Sequence, residues 1–388
     1  MGTKKARQII LYTLLGFSIF TNICLVSEIK YYFKASHLIS IDENPHPTLK
    51  DLSTFRQKLL EGAKKELETE DINDIDFPYK QLLFTDQLKQ DIENSNRIKY
   101  PAYKCSEYGY LLLSVIDDAI LHKDIATLKY CQRIFEDKIL QHGITIPDQS
   151  QAAMASLKLY DIFHKESYRT YADSMYSFLT SSKEDSIVPY RSKSSLVIVD
   201  VIGMAVPFLI MYANYFSNES AKELATSTLV NYIDFGCDSS TGMPVFSYRK
   251  EEPHIKMGAA NWGRGTSWFV LGLVDIINID TTPSITEENE KISNTLTSMW
   301  QQDLVLSQFI GEKQRPDLSA ELPILYYLQK NEKIHLNSKD ILAYSTYMHE
   351  DQMYQSSSGN NGIIRYGAPY GRNLLTQAFM LKLCNEVP

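Results

Sequence analysis

The chain has 388 residues, of which 44% are hydrophobic and 22% charged, a composition typical of globular proteins and not of disordered ones. Its formal net charge is −8, and since Lys4, Lys5 and Arg7 are the only charges before Glu28, the remainder carries −11. Such an acidic body argues against nucleic-acid binding, which needs a basic face.

A run without charged residues follows the basic tip, from residue 8 to residue 27. At the helical rise of 1.5 Å per residue this run reaches ~30 Å, the thickness of a bilayer's hydrocarbon core. We therefore predict a transmembrane signal anchor in residues 1–27, with a cleaved signal peptide as the alternative. Because a positive flank stays in the cytoplasm, we expect a single-pass protein of the inner (cytoplasmic) membrane whose C-terminal domain is periplasmic or extracellular.

Residues 28–49 contain two prolines among polar residues and are predicted to form a stalk, and residues 50–388 are predicted to form one helical domain. In that domain apolar residues recur with helical spacing, and breaks as short as His122-Lys123 indicate antiparallel hairpins. The predicted helices are 50–68, 107–121, 124–140, 149–163, 166–181, 199–216, 219–235, 266–278, 285–307, 319–330, 336–349 and 371–385. Twelve helices in hairpins predict an all-α (α/α)6 six-hairpin toroid. An open α-solenoid is the alternative, although no fixed repeat period is found.

The cysteines of the predicted domain are Cys105, Cys131, Cys237 and Cys384. They lack the CxxC spacing of zinc sites, and no two histidines stand in HxxxH spacing, so we expect no metal site. Four cysteines allow three disulfide pairings, but buried free thiols are the simpler expectation.

Two aspartates at predicted helix starts are candidates for proton transfer. Asp200 interrupts an otherwise apolar stretch, and burial would raise the pKa of its carboxyl, which prepares it to donate a proton near neutral pH. The alternative for Asp200 is a capping role at the start of its helix. Asp148 follows Pro147 at the start of another helix, where capping is the simpler interpretation. If the inner helices begin at one end of the toroid, both carboxyls could line the same cavity.

Residues 262–268 hold two of the three tryptophans of the chain, Trp262 and Trp268, with Arg264 and two glycines between them. Indole faces stack on sugar rings, and a guanidinium fits a carboxylate. The combination favours an acidic sugar as ligand. The alternative is a tight turn that leads into a buried helix, with both tryptophans in the core.

Three motifs resemble those of the unsaturated glycuronyl hydrolases, including the unsaturated rhamnogalacturonyl hydrolases (glycoside hydrolase families 88 and 105). The segment Trp262–Trp268 is similar to the family's W-[AG]-R-G-x-x-W, and Asp200–Phe208 is similar to its D-x-x-x-M-x-x-P-F. Asp148 stands twelve residues before Tyr160, in a segment similar to the family's helix that ends in L-x-L-Y. Weaker similarities lie at residues 317–321 and 371–379.

The resemblance implies a six-hairpin barrel that removes a 4,5-unsaturated uronic acid from the non-reducing end of acidic oligosaccharides by hydrating its double bond. Asp200 would protonate C4 and assist the addition of water at C5. Asp148 would stay anionic and raise the pKa of Asp200. Arg264 would pair with the uronate, and Trp262 and Trp268 would shape the sugar site. No metal or organic cofactor is implied.

Two other functions stay open at this point. The predicted anchor suits a membrane-anchored glycan-binding or polysaccharide-assembly factor built on a degenerate hydrolase barrel. A hydrolase or lyase that acts on saturated uronic-acid polymers would use the same two aspartates.

Overall fold

A computed structural model describes residues 8, 11–23, 25–26, 48–70, 101–277, 282–302, 306–311, 316–357 and 370–387. The helices of the body alternate between an inner and an outer ring. The inner helices are α2 (Ser106–Leu121), α4 (Ser150–Phe163), α6 (Asp200–Phe216), α8 (Gly263–Ile276), α10 (Leu318–Lys330) and α12 (Leu374–Glu386). The outer helices are α1 (Leu52–Leu67), α3 (Ile125–Phe135), α5 (Glu166–Ser182), α7 (Glu219–Gly236), α9 (Pro283–Gln301) and α11 (Ser338–Ala343).

The inner ring is closed. Each inner helix packs on the next one along the chain, and α12 packs on α2. The predicted (α/α)6 toroid is therefore confirmed, and the closure excludes an open solenoid. Inner helices such as α6 are apolar all round because they are covered on every side, whereas outer helices bury only one face.

Short polar side chains mark where several helices begin. Asp51 accepts a hydrogen bond from the backbone N–H of Thr54 at the start of α1, and Asn218 accepts one from Ala221 at the start of α7. Such caps satisfy backbone donors that have no partner within the helix. At the other end, α4 and α6 stop at His164 and Ser217, both in the left-handed conformation. Most predicted boundaries lie within three residues of the observed ones, but α3, α9 and α11 end at Phe135, Gln301 and Ala343, before their predicted ends at residues 140, 307 and 349.

Helix α6 contains a proline that its neighbours accommodate. Pro207 has no N–H to donate to the carbonyl oxygen of Gly203, four residues earlier. That oxygen instead accepts hydrogen bonds from the Tyr110 hydroxyl and from Nε2 of Gln151, both at 3.0 Å. Tyr110 on α2 and Gln151 on α4 thus satisfy the carbonyl oxygen that Pro207 leaves without a donor, and these bonds tie α6 to two other inner helices.

Short strands lie in the loops and were not predicted. Strands β1 (Leu196–Ile198), β2 (Ser247–Arg249) and β3 (Lys256–Met257) form an antiparallel sheet in which Val197 pairs with Tyr248. Two further antiparallel pairs are β4 (Met348–His349) with β5 (Gln352–Met353) and β6 (Ser356–Ser357) with β7 (Tyr370–Gly371). Strands of two or three residues are too short for an alternating pattern. The first sheet matters for the site because β1 leads directly into α6.

The predicted transmembrane helix is not found. In the part of the chain that the structure describes, no helix combines the length and the apolar character that crossing a membrane requires. The predicted single-pass location in the inner membrane is wrong for the same reason. Most of the predicted stalk lies outside the described residues.

The cysteine prediction holds. Cys105, Cys131, Cys237 and Cys384 are all buried free thiols.

Candidate active site

The first turns of several inner helices meet at one end of the toroid. Glu107 in the first turn of α2 lies 4.0 Å from the guanidinium of Arg264 in the first turn of α8, measured from Oε1 to Nη1. Asp200 is the first residue of α6, and its carboxyl interacts electrostatically with both. Asp148, just before α4, interacts with Glu107 and Asp200. The ring therefore brings together the two aspartates and the arginine that the sequence singled out.

The carboxyl of Asp200 is positioned by the sheet and by its helix. The backbone N–H of Val199 donates to the carbonyl oxygen of Phe246 at 3.0 Å, which ties the start of α6 to the sheet. The N-cap residue of α6 is Val199, which makes no side-chain capping bond, and Oδ2 of Asp200 is buried without a hydrogen-bond partner. Burial is the main cause that raises the pKa of Asp200 to about 7, and the negative charge of Glu107 adds to it, against a hydrogen bond from its own backbone N–H and the charge of Arg264. Capping therefore does not account for this residue.

Asp148 lies on a short 3-10 turn, Pro147–Gln149, and is 8% exposed. Its Oδ1 accepts a hydrogen bond from the Tyr190 hydroxyl at 3.2 Å, whereas its Oδ2 is buried without a partner. Burial raises the pKa of Asp148 to about 7, and the charges of Glu107 and Asp200 act in the same direction. No capping hydrogen bond from its side chain is present. The charge that raises the pKa of Asp200 comes from Glu107, and the predicted anionic state of Asp148 stays a prediction.

Arg264 is 7% exposed and is held by buried groups. Its Nε and Nη2 both donate to Oγ of Ser319, at 3.2 and 2.8 Å. The hydroxyl of Ser319 donates in turn to Oδ1 of Asp317 at 2.6 Å. A guanidinium in this setting is a fixed cation beside the two aspartates.

The two tryptophans pack within the protein. Trp262 precedes α8, is 4% exposed and meets Phe246 edge to face, with ring centroids 5.7 Å apart. Trp268 is 2% exposed and covers Gly203, where an added Cβ would lie 2.4 Å from the Trp268 carbonyl oxygen. The buried-turn interpretation describes these contacts. A role of either indole in shaping a sugar site remains a prediction.

The glycines of this segment serve the same packing. A Cβ on Gly263 would lie 2.3 Å from the Ser307 carbonyl oxygen, and one on Gly265 would lie 2.3 Å from Cε3 of Trp262. The backbone of α8 therefore approaches its own neighbours closely, and this accounts for both glycines.

Sequence reasoning missed Glu107 and Tyr190. Glu107 stands in the first turn of an inner helix, directly before an apolar run, much as Asp200 does in α6. That shared position was the available signal for Glu107. Tyr190 lies in a connecting segment outside every motif, and no pattern in the sequence marks it.

The arrangement suits proton transfer next to an anion-binding group. Two carboxyls with pKa values about 7 can give and take protons near neutral pH, and the adjacent guanidinium can pair with a negatively charged ligand. Within the described residues, no three or more His, Cys, Asp or Glu side chains are grouped so that they could hold a metal ion.

Comparison with solved structures shows the same fold in carbohydrate-active proteins. A candidate member of glycoside hydrolase family 105 from Klebsiella pneumoniae is 13% identical, with 88% of this chain and 94% of that chain covered and a TM-score of 0.67. The unsaturated glucuronyl hydrolase from Bacillus sp. GL1 is 12% identical, with coverage of 73% and 85% and a TM-score of 0.53. A UGL variant with the oligosaccharide dGlcA-Glc-Rha-Glc is also 12% identical, with the same coverage and a TM-score of 0.56.

At the level of sequence, no curated protein matches the chain. The model of Glycosyl Hydrolase Family 88 matches residues 82–308, which is more than half of the chain and includes Glu107, Asp148, Asp200 and Arg264. The chain is therefore a glycoside hydrolase that belongs to glycosyl hydrolase family 88.

Proposed function

We propose that this glycoside hydrolase removes a 4,5-unsaturated uronic acid from the non-reducing end of acidic oligosaccharides by hydrating the double bond. The observation that carries the proposal is the pair Asp148 and Asp200, each with a pKa about 7 and a buried oxygen without a partner, beside the buried cation of Arg264. The relative from Bacillus sp. GL1, an unsaturated glucuronyl hydrolase responsible for the degradation of glycosaminoglycan, supports the same class of substrate.

The proposed reaction begins with protonation of a carbon atom of the double bond, C4. The protonated carboxyl of Asp200 gives its proton to C4, and the electrons of the double bond form the new C4–H bond and leave a cation at C5 that the ring oxygen stabilises. Water adds at C5 and returns a proton to the Asp200 carboxylate. The resulting hemiketal opens by cleavage of the bond between C5 and the ring oxygen. The hemiacetal thus formed at C1 expels the remaining sugar as an alcohol.

The environment of each group fits its step. A carboxyl that still holds its proton near neutral pH is a competent acid toward an enol ether, and burial supplies that property to Asp200. In this proposal the carboxylate of Asp148, which is 8% exposed, accepts a hydrogen bond from the water or from a substrate hydroxyl. Arg264 pairs with the uronate carboxylate, since a guanidinium matches a carboxylate with parallel donors.

One assay on the full chain separates this function from its alternatives. Acidic polysaccharides are treated with a lyase, and the absorbance of the conjugated double bond is followed after addition of the protein, together with released sugar. The proposal expects the absorbance to fall while sugar is released. A lyase acting on saturated polymer would make the absorbance rise, and a hydrolase of saturated polymer would create reducing ends at constant absorbance.

Binding without any product would favour the glycan-binding or polysaccharide-assembly alternative and would contradict the proposal. The predicted anchor that motivated that alternative is not found among the described residues.

A further inference from the structure

Glu107 is a third carboxylate in the site, and its contacts hold it in one place. Its Oε2 accepts hydrogen bonds from the thiol of Cys105 at 2.9 Å and from the hydroxyl of Ser106 at 3.1 Å. Its Oε1 lies 4.0 Å from Nη1 of Arg264. One carboxylate oxygen is thus anchored to the start of α2, and the other is directed at the guanidinium across the ring.

The opposite side of the guanidinium is held by α10. The two hydrogen bonds from Arg264 to Ser319, and the one from Ser319 to Asp317, join three residues that are almost completely buried. Arg264 is therefore hydrogen-bonded to Ser319 on one inner helix and lies at ion-pair distance from Glu107 on another. The plane of a guanidinium decides which oxygen atoms it can reach, so these two contacts bear on how the cation faces the site.

Glu107 also contributes charge to the carboxyl pair. Its negative charge raises the pKa of both Asp148 and Asp200, after the larger effect of burial. Among the described residues, Cys105, Tyr190 and Tyr232 also interact with one or other aspartate, and Asp317 is bonded to Ser319 next to Arg264. Glu107 acts on both aspartates and also lies beside the arginine.

We propose that Glu107 is a positioning residue that orients the Arg264 guanidinium and supplies negative charge to the carboxyl pair Asp148 and Asp200. The inference rests on the proposed function for the identity of the substrate. It assigns Glu107 no contact with the reacting atoms. The acid keeps its proton to a higher pH because Glu107 is charged, and the uronate meets a cation of fixed orientation.

The test compares Glu107→Gln with Glu219→Gln. Glu219 is also an acidic residue in the first turn of a helix, α7, but it is exposed, so both variants lose one charge at a helix start. In Glu107→Gln, Asp200 loses its proton at lower pH. The basic limb of the kcat/KM profile should therefore move down by roughly one pH unit. The limb should stay in place in Glu219→Gln.

A second readout does not depend on activity. Because Asp148 and Asp200 bind their protons more tightly in the folded state, wild-type stability falls as the pH rises toward about 7. In Glu107→Gln this fall should begin at the same pH, which the unfolded carboxyls set, but end at lower pH and be smaller in thermal unfolding. If Glu107→Gln does not fold, Glu107→Asp takes its place, because it keeps the charge but moves it away from Arg264. Glu107→Asp should keep the basic limb of the wild-type kcat/KM profile and lose roughly tenfold in kcat.

The outcomes separate the two proposals. If the wild type turns over its substrate but Glu107→Gln has the same limb as Glu219→Gln, the inference about Glu107 is overturned while the proposed function stands. If the wild type is inactive on every unsaturated substrate, the proposed function fails and the unfolding curves decide alone. If stability depends on pH in Glu107→Gln as it does in the wild type, the role of Glu107 is overturned. A fall in stability that ends at lower pH than in the wild type supports the role. A Glu107→Asp variant with full kcat overturns it as well.

Discussion

The hydroxyl of Tyr190 donates a hydrogen bond to Oδ1 of Asp148 at 3.2 Å, while Oδ2 of the same carboxyl is buried without a partner. The two oxygens of one catalytic candidate are therefore unequal. The bonded oxygen favours the carboxylate form, because a hydrogen bond to the charged form stabilises it. The other oxygen has no hydrogen bond to offset its burial, which favours the protonated form.

The first prediction concerns pH. If Asp200 acts as a protonated acid and Asp148 as an anion, kcat/KM should be bell-shaped with its maximum near neutral pH, since both pKa values are about 7. Tyr190→Phe removes the bond that lowers the pKa of Asp148, so the acidic limb should move to higher pH by roughly half a unit. Initial rates across the pH range measure this. An acidic limb unchanged in the variant would contradict this role of Asp148.

The second prediction concerns stability. The pKa of Asp148 is raised from its ordinary value of 3.8 to about 7 in the folded protein. Its contribution to stability is therefore complete below about pH 3.8 and is lost as the pH rises through about 7. Asp148→Asn cannot ionise, so relative to the wild type it should gain up to a few kcal/mol between pH 4 and pH 8. Chemical unfolding at both pH values tests this, and an equal difference at the two would count against the buried carboxyl.

Much of the fold could be predicted because its signals are local. Helical periodicity and short breaks predicted six hairpins, and the predicted starts at residues 50 and 219 lie close to the observed Leu52 and Glu219. The transmembrane prediction failed because it rested on the absence of charged residues, whereas a membrane span also needs a helix of sufficient length and apolar character, and none is found in the described part of the chain. The strands were missed because two or three residues cannot show alternation.

The site was only partly predictable. Asp148, Asp200 and Arg264 stand in motifs, and the toroid brings them together at one end. Glu107 offered a local signal in its first-turn position, but its contact with Arg264 spans 157 positions of sequence and is not encoded by any local pattern. The roles expected for Trp262 and Trp268 came from indole chemistry, but their surroundings are set by the packing of α8 against its neighbours.

The third prediction tests close packing at Gly203. An added Cβ there would lie 2.4 Å from the backbone of Trp268, whereas a Cβ on Gly143 would meet no atom within 4 Å. Gly203→Ala should therefore destabilise the protein by ~1–3 kcal/mol because α6 and α8 must separate. Gly143→Ala should change the free energy of unfolding by less than ~0.5 kcal/mol. Equal stability of the two variants would show that the helices do not approach so closely.

The fourth prediction tests how the carbonyl oxygen of Gly203 is satisfied. Tyr110→Phe leaves Gln151 as a donor and should cost ~1 kcal/mol, and Gln151→Leu should cost a similar amount. The double variant leaves a buried oxygen without either donor, so its cost should exceed the sum of the single costs by ~1 kcal/mol or more. Unfolding in denaturant measures the cycle. Simple additivity would mean that the two donors act independently of each other.

The most direct test of the account is the activity of Asp200→Asn on a lyase-generated unsaturated oligosaccharide, next to the wild type and Glu219→Gln. The wild type and Glu219→Gln should remove the conjugated double bond and release sugar. Asp200→Asn should stay folded by circular dichroism but lose at least a factor of ~10²–10⁴ in rate, because the acid that protonates C4 is gone. Full activity of folded Asp200→Asn would contradict the account.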